Sequence, residues 1–171
     1  MARRTRVACV VALLLVGLLS IRCVADRASP TGITAHLTKP PKPTGLLQCS
    51  PLPSTTVKQT IGPAGGTLVI GPHVFVVPPG ALAVPVTIQA KTGASPANAI
   101  NFKPAGLVFL APASVSLSYA NCNTLGLTYS KQVAYTTDSL TIIYYVPSQD
   151  DSSAQRVTGR VDHFSDFAVA W

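Results

Sequence analysis

The sequence predicts an all-β domain, an antiparallel two-sheet sandwich of about eight or nine short strands. Three observations favour this fold class. Apolar and polar residues alternate along several segments, turn-forming residues separate these segments, and few good helix formers occur outside the first apolar run. Short strands at this spacing, without intervening helices, pack as two antiparallel sheets, and an open barrel is the main alternative.

The N-terminus has the organisation of a secretion signal. Arginines near the start precede an almost purely apolar run from Val7 to Ile21, which is shorter than the roughly twenty residues of a membrane span. A cleavage site directly after Ala25 would have a small residue at the third position before it, Cys23, and at the first position before it, Ala25. Residues 1–25 are therefore predicted to be removed on export to the cell envelope or the extracellular space. Membrane contact is expected only if this N-terminus stays uncleaved or is lipidated at Cys23.

The basic residues do not mark a nucleic-acid-binding surface. The chain has 13 Lys and Arg against 6 acidic residues, but four of the arginines lie in or beside the first apolar run. Without residues 1–25, nine basic residues and six Asp remain, a net charge of +3. These Lys and Arg are scattered singly, whereas nucleic-acid recognition needs them clustered on one face. We expect no nucleic-acid partner.

Two cysteines remain in the exported chain. Cys9 and Cys23 belong to the predicted signal, which leaves Cys49 and Cys122. Two cysteines in an oxidising compartment predict one disulfide, closing a loop of about seventy residues. A loop of that length contributes about 4 kcal/mol to stability in the chain-entropy account. Two unpaired thiols are the alternative.

Residues 26–56 are predicted to be a proline-rich, disordered tether. No periodicity runs through this stretch, and prolines interrupt it throughout. Such a chain is semi-extended and solvated, and it could be a spacer from a surface or a simple disordered leader. The domain itself is predicted to occupy residues 57–171.

Three segments of the domain show the period-two alternation of half-buried strands. In each segment apolar residues occupy every second position, and turn sequences lie between the segments. The apolar series are Val84, Val86, Ile88 and Ala90, then Val115, Leu117 and Tyr119, then Leu140, Ile142, Tyr144 and Val146. The turns are Gly65-Gly66, Pro78-Pro79-Gly80, Pro104-Ala105-Gly106 and Asp150-Asp151-Ser152.

Four motifs follow one another across the domain: a glycine pair leading into a strand, a proline-rich turn, a later strand pair and a closing strand. They are Ile61-Gly62-Pro63-Ala64-Gly65-Gly66-Thr67-Leu68, Val77-Pro78-Pro79-Gly80-Ala81-Leu82, Pro104-Ala105-Gly106-Leu107-Val108-Phe109 with Pro112 and Val115-Ser116-Leu117, and His163-Phe164-Ser165-Asp166-Phe167-Ala168-Val169. In kind and order these motifs resemble the ZU-five domain, which is named for zonula occludens and netrin-receptor proteins and also occurs in ankyrins.

The resemblance implies a β-sandwich that acts as a protein-interaction module. Stand-alone copies behind export signals resemble bacterial envelope or secreted proteins. The ankyrin-type domain binds spectrin through basic surface residues, but this sequence has no comparable basic cluster. The spectrin-binding role is therefore not expected here.

The sequence contains few residues in patterns that indicate metal binding or catalysis. His36, His73 and His163 do not pair at ligand spacing, and no CxxC motif occurs, so no metal is expected. The six Asp and the absence of Glu offer no recognisable carboxylate pair for acid–base chemistry. The sequence also lacks a phosphate-binding loop and a Gly-x-Ser-x-Gly elbow. We expect no cofactor, and we read Asp150-Asp151 as a solvated hairpin turn.

One tripeptide does carry a possible chemistry. His163-Phe164-Ser165 matches the site at which some ZU-five domains of death-domain scaffolds, and the unrelated autoproteolytic domain of a nucleoporin, cut their own chain. His163 and Ser165 would share one face of a strand. His163 could accept the proton of the Ser165 hydroxyl, whose oxygen would attack the Phe164 carbonyl and form an ester that water opens. The reaction would require a kinked backbone at Phe164.

The alternative for the tripeptide is an ordinary final strand. Apolar residues share one phase from residue 157 to 171, and His163 and Ser165 would lie in that core face without reacting. The shared phase comprises Val157, Gly159, Val161, His163, Ser165, Phe167, Val169 and Trp171.

The aromatic side chains offer a third hypothesis, a carbohydrate-binding surface. Tyr144 and Tyr145 are adjacent, so one of them should be exposed if they lie in a strand. Aromatics scattered through a sandwich are otherwise core residues or cross-strand pairs. The residues concerned are Tyr119, Tyr129, Tyr135, Tyr144, Tyr145 and Trp171.

Three functions are thus compatible with the sequence. The leading hypothesis is an exported, non-enzymatic interaction or structural module whose partner is an unknown protein or envelope component. The alternatives are a self-cleaving domain that cuts between Phe164 and Ser165, and a carbohydrate-binding sandwich.

Overall fold

The computed structural model describes residues 45–171. The predicted secretion signal and residues 26–44 of the predicted tether lie outside the described residues. The described part contains eleven strands and no helix. The strands are β1 (Thr55–Ile61), β2 (Gly66–Ile70), β3 (His73–Val77), β4 (Val86–Thr92), β5 (Ala99–Lys103), β6 (Val108–Ser118), β7 (Gln132–Thr136), β8 (Ile142–Val146), β9 (Ser148–Asp151), β10 (Arg156–His163) and β11 (Asp166–Ala170).

The strands form two antiparallel sheets, as the sequence predicts. One sheet has six strands in the order β1-β4-β5-β11-β7-β8, and the other has five in the order β2-β3-β6-β10-β9. The predicted number of eight or nine strands is too low. β9 shows why, because its four residues Ser148–Asp151 are all polar and resemble a turn, although they pair with β10.

Each of the three alternating segments contains a strand, but Val84 and Leu140 lie outside β4 and β8, and burial does not alternate along β8. In β4 the side chains of Ile88 and Ala90 are fully buried, and in β6 those of Val115 and Leu117 are fully buried. Their polar neighbours point away from the core, because successive side chains of a strand face opposite sides of the sheet.

A cluster of five phenylalanines fills the space between the sheets at one end. Each ring is at least 94% buried, and neighbouring ring centroids lie 4.7–6.2 Å apart. Burial of one such side chain contributes roughly 1.5–3 kcal/mol. The cluster therefore joins strands of both sheets. Its members are Phe75, Phe102, Phe109, Phe164 and Phe167.

The ordered domain begins before residue 57, which corrects the predicted end of the tether. The Leu47 side chain is fully buried, and the Leu47 N–H donates to the Val169 carbonyl at 3.0 Å. Gly45 and Trp171 likewise exchange backbone hydrogen bonds. Residues 45–47 thus pair with the end of β11, and residues 45–56 are part of the folded domain instead of a disordered tether.

The turn between β1 and β2 requires glycine at position 65. Gly65 has a φ of +76°, which L side chains rarely adopt. A Cβ there would also lie 2.8 Å from the Pro78 carbonyl carbon, so the turn after β3 packs directly against this glycine. The Gly80 N–H donates to the Pro63 carbonyl at 2.8 Å. Two of the motifs that the sequence analysis singled out therefore contact each other.

Candidate functional site

The His163-Phe164-Ser165 tripeptide lies where the chain crosses from one sheet to the other. β10 ends at His163 in the five-stranded sheet, and β11 begins at Asp166 in the six-stranded sheet. The interpretation of residues 157–171 as one continuous final strand is therefore wrong. The physical reason is Phe164, which is 2% exposed and buries its ring in the core, as Val161 does. Residues three apart in one strand face opposite sides of the sheet, so the strand cannot continue unchanged from Val161 to Phe164.

The backbone of Phe164 is held on both sides. Its N–H donates to the Leu107 carbonyl at 2.8 Å, and its carbonyl accepts from the Gly106 N–H at 3.2 Å. The ring stacks on Phe102 and makes an edge contact with Phe109. The peptide that would be cut is thus held by one hydrogen bond at its carbonyl, and the peptide before it is held by the other.

His163 and Ser165 do not form a catalytic contact in this structure. Both side chains are half-buried, and among the described residues no hydrogen bond joins them. The His163 ring packs 5.4 Å from the ring of Tyr135, and its buried Nδ1 has no hydrogen-bond partner in the described part of the chain. Gly106 supplies one donor to the Phe164 oxygen, the position at which an oxyanion would develop. A base in contact with the Ser165 hydroxyl, which the reaction needs, is not in place.

No residue of the tripeptide has a left-handed backbone conformation. Within residues 45–171 the non-glycine residues with positive φ are Leu140 and Gln155, both in turns. The chain changes direction after His163, but the φ angle of Phe164 is not positive. The pairing of β10 with β6 does shift in register between Val161 and His163, so the strand irregularity lies before Phe164.

The structure brings together two carboxyl groups that the sequence did not connect. Asp166, at the start of β11, is 8% exposed and accepts a hydrogen bond from the Asn101 amide at 2.6 Å. Burial raises the pKa of Asp166 to about 6, and the neighbouring carboxyl of Asp138 adds to this rise while Asn101 opposes it. The expectation that no carboxylates pair is thus wrong.

This carboxyl pair lines a cavity of about 190 Å³ on the outer face of the six-stranded sheet. Asp138 reaches it from the turn between β7 and β8, and Lys91 lines it from β4. A carboxyl with a raised pKa can hold a proton near neutral pH, which is a property of general acids. Structural ion networks shift pKa values in the same way. Lys91 and Ser95 also line the cavity, but among the described residues no hydrogen bond or ion pair joins either of them to Asp138 or Asp166.

The histidines lie apart. His73 is 1% exposed, and its Nδ1 accepts the Ser118 N–H at 3.1 Å. Burial, and secondly the charge of Arg156, lower the pKa of His73 to about 4, so the ring is neutral at physiological pH. His36 lies outside the described residues. Within residues 45–171 no three metal-binding side chains form a cluster.

Cys49 and Cys122 form the predicted disulfide. The bridge joins the segment before β1 to the loop after β6, over 73 residues of sequence. Backbone hydrogen bonds flank it, from Ser50 N–H to the Asn121 carbonyl and from Asn123 N–H to the Gln48 carbonyl, both at 2.8 Å. The bridge therefore fixes the first part of the loop between β6 and β7.

That loop borders a second cavity, of about 270 Å³, at one end of the sandwich. The Tyr119 hydroxyl donates to one oxygen of Asp150 at 2.7 Å, and the Lys131 N–H donates to the other at 2.7 Å. Burial and Asp150 raise the pKa of Tyr119, so the phenol is protonated. Asp150 is accordingly a structural anchor of two segments, and the prediction that it lies in a solvated turn is wrong for this residue. Asp151 does cap that turn, accepting from Ser153 and Ala154.

The aromatic residues have mixed environments. Tyr135 and Tyr144 form a cross-strand pair with ring centroids 4.9 Å apart. Tyr144 is 44% exposed, so one of the two adjacent tyrosines is exposed as expected, although the alternation places Tyr144 on the apolar phase with Val146. Tyr129 and Trp171 stack with 6.3 Å between centroids, and Tyr129 lines the cavity beside Tyr119. Two of the tyrosines considered for sugar binding thus share one cavity.

No model of a known protein family matches this chain, and a search of curated proteins finds none similar to it. Among the residues that the structure describes, no helix is long and apolar enough to cross a membrane.

Proposed function

We propose that the chain is an exported, non-enzymatic module that binds a protein of the cell envelope or extracellular space. The basic and apolar N-terminus supports export. The Cys49–Cys122 bridge is consistent with it, because disulfides persist in oxidising compartments and are rare elsewhere. We further propose that the domain is of the ZU-five type. The order of its four motifs supports this, and so does the contact between the glycine-pair motif and the proline-rich turn.

The observation that carries the binding role is a group of exposed apolar side chains on the five-stranded sheet. Val69 on β2 is 61% exposed, Val76 on β3 is 37% exposed and Leu110 on β6 is 73% exposed. Each is adjacent in sequence to a buried core residue, so each points away from the core. Val69 and Val76 lie close in register, and Leu110 lies on the same face farther along β6, beyond Ser114, which pairs with Val76. A single exposed apolar residue is ordinary, but several on one face favour an interaction surface.

The outward positions of β2, β3 and β6 carry no charged residue, and charges of this face lie on β10, where Arg160 pairs with Ser114 and Arg156 donates to the Pro72 carbonyl. Outward positions of β2 and β3 carry Thr67 and Val74 besides the two valines, and β6 presents Ser114 and Ser116 next to them. An apolar and hydroxyl-bearing surface suits a protein partner, whose interface core is depleted of charge.

Site-specific photo-cross-linking tests this role. A photoreactive amino acid at position 110 should yield one discrete adduct in the exported protein, and the Val69→Lys change should abolish it. The matched control is the same amino acid at position 91, an exposed position on the six-stranded sheet, which should give no such adduct. Equal cross-linking at both positions, or none at either, would contradict the proposed interface.

A further inference from the structure

The cavity at the end of the sandwich contains a buried lysine. Lys131 is 5% exposed and lines the cavity, and its ammonium donates to the Tyr129 carbonyl at 2.6 Å. Among residues 45–171 no carboxylate forms an ion pair with this ammonium. An ammonium has three donors, and a charge held away from water is stable only when paired or well hydrogen-bonded. The site therefore has unused capacity for an anionic group.

The walls of the same cavity are rigid and polar. Asp150 is held by Tyr119 on one oxygen and by the Lys131 backbone on the other. Each carboxylate oxygen can accept more than one hydrogen bond, so Asp150 can still receive donors from a ligand. Ser152 and Thr124 add hydroxyl groups to the lining. These groups suit a ligand that carries several hydroxyls.

One wall is aromatic. Tyr129 is half-buried, lines the cavity and is backed by Trp171 at an interplanar angle of 14°. A supported aromatic ring presents a rigid apolar face at low entropic cost. The volume of about 270 Å³ falls just below that of pockets for drug-sized ligands, roughly 300–1,000 Å³, and so suits one small ring.

We propose that this cavity binds a carboxylate-bearing sugar, such as one hexuronic acid unit of a polysaccharide. The sugar carboxylate pairs with the Lys131 ammonium, the ring hydroxyls donate to Asp150, and the sugar face packs on Tyr129. The site shares no residue with the outer face of the five-stranded sheet, so its failure would leave the protein-binding proposal untouched.

The test is a titration of the labelled, disulfide-bonded exported protein, followed by amide NMR shifts. The probes are glucuronic acid and galacturonic acid, with glucose and galactose as neutral sugars and acetate as a bare carboxylate. A uronic acid should shift the amides of residues 119–131 and 150–155 and bind at least tenfold more tightly than its neutral sugar or acetate. Equal affinity for acid and neutral sugars, shifts confined to other residues, or no binding at all would overturn the proposal.

Variants locate the contacts. Lys131→Met keeps the buried stem and removes the charge, so uronic-acid affinity should fall about tenfold or more, as for the loss of a charged hydrogen bond. Tyr129→Leu should also weaken binding, and it provides the same test if Lys131→Met does not fold. Lys91→Met, on a different face, is the matched control and should bind like wild type. Unchanged affinity in both cavity variants would overturn the assignment.

Discussion

The ring of Phe164 stacks on the ring of Phe102, with 5.0 Å between the centroids and 3° between the planes. Phe164 lies in the crossover between the two sheets, whereas Phe102 lies in β5 of the six-stranded sheet. The contact therefore fixes the crossover to the core. It supports a structural role for the tripeptide that the sequence marks as a possible cleavage site.

Truncation of Phe164 should destabilise the domain strongly. Phe164→Ala removes a ring that contacts three other phenylalanines, and such changes cost about 3–5 kcal/mol. Urea denaturation followed by fluorescence of Trp171 would measure the loss. Ser165→Ala is the neighbouring control and should change stability by less than about 1 kcal/mol, because no described hydrogen bond holds its hydroxyl. A similar loss in both variants would contradict this account.

The disulfide should contribute substantially to stability. Loss of a cross-link over 73 residues should lower the free energy of unfolding by about 4 kcal/mol, chiefly by releasing the unfolded chain. Denaturation of the oxidised protein and of the Cys49→Ala/Cys122→Ala double variant gives this difference. Reductant should destabilise the wild type and leave the double variant unchanged, and equal stability of the two proteins would refute the prediction.

Two glycines with positive φ should differ in their tolerance of alanine. Gly65 and Gly80 both have left-handed backbone angles, at +76° and +80°, so alanine at either costs about 1–2 kcal/mol for the backbone alone. At Gly65 the added Cβ also meets the backbone of Pro78 and Pro79, whereas at Gly80 it meets nothing within 4 Å. Gly65→Ala should therefore cost about 1–3 kcal/mol more than Gly80→Ala in urea denaturation. Equal costs would show that the two turns do not pack as described.

Buried His73 should contribute a loss of stability as the pH falls. Its pKa is about 4 when folded and 6.5 in a free chain, so between these values the unfolded state binds more protons. The free energy of unfolding should thus fall on acidification from pH 6.5 to pH 4, by about 3 kcal/mol from this residue alone. Asp166 has the opposite effect on the free energy of unfolding. Its pKa is raised to about 6 in the folded domain, so on acidification the folded state binds a proton at a higher pH than the unfolded state and gains stability.

The two effects can be separated by substitution. Stability of the wild type should change little between pH 6.5 and pH 4, since the contributions of His73 and Asp166 oppose each other. Asp166→Asn removes the stabilising proton uptake and should show a clear loss of stability over the same range. Denaturation curves at several pH values give the comparison, and identical pH profiles would contradict the assigned shifts.

Much of the fold could be predicted because local patterns determine it. The alternation in Val86–Thr92 and around Val115 identifies half-buried strands, and Gly65 and Pro78-Pro79-Gly80 mark turns. The division of residues 157–171 was missed because one phase of apolar residues continues through the crossover. The signal that could have revealed it is Phe164, a large apolar residue on the opposite phase.

Other features depend on contacts between distant residues. Asp138 and Asp166 meet only because β7 lies beside β11, an order of strands that no local pattern gives. The segment at Leu47 has no periodicity, because it pairs with β11 over only a few residues. Cys49 was the one local hint that this segment belongs to the domain.

The intact mass of the exported protein, measured under denaturing conditions with and without reductant, tests the central claim most directly. We predict one polypeptide that begins after Ala25, is uncut between Phe164 and Ser165, and gains two hydrogens on reduction of Cys49–Cys122. A chain that ends at Phe164, accompanied by a separate peptide that begins at Ser165, would show that the domain cuts itself. A chain that retains residues 1–25 and carries Cys49 and Cys122 as free thiols would contradict both the predicted cleavage after Ala25 and the predicted disulfide.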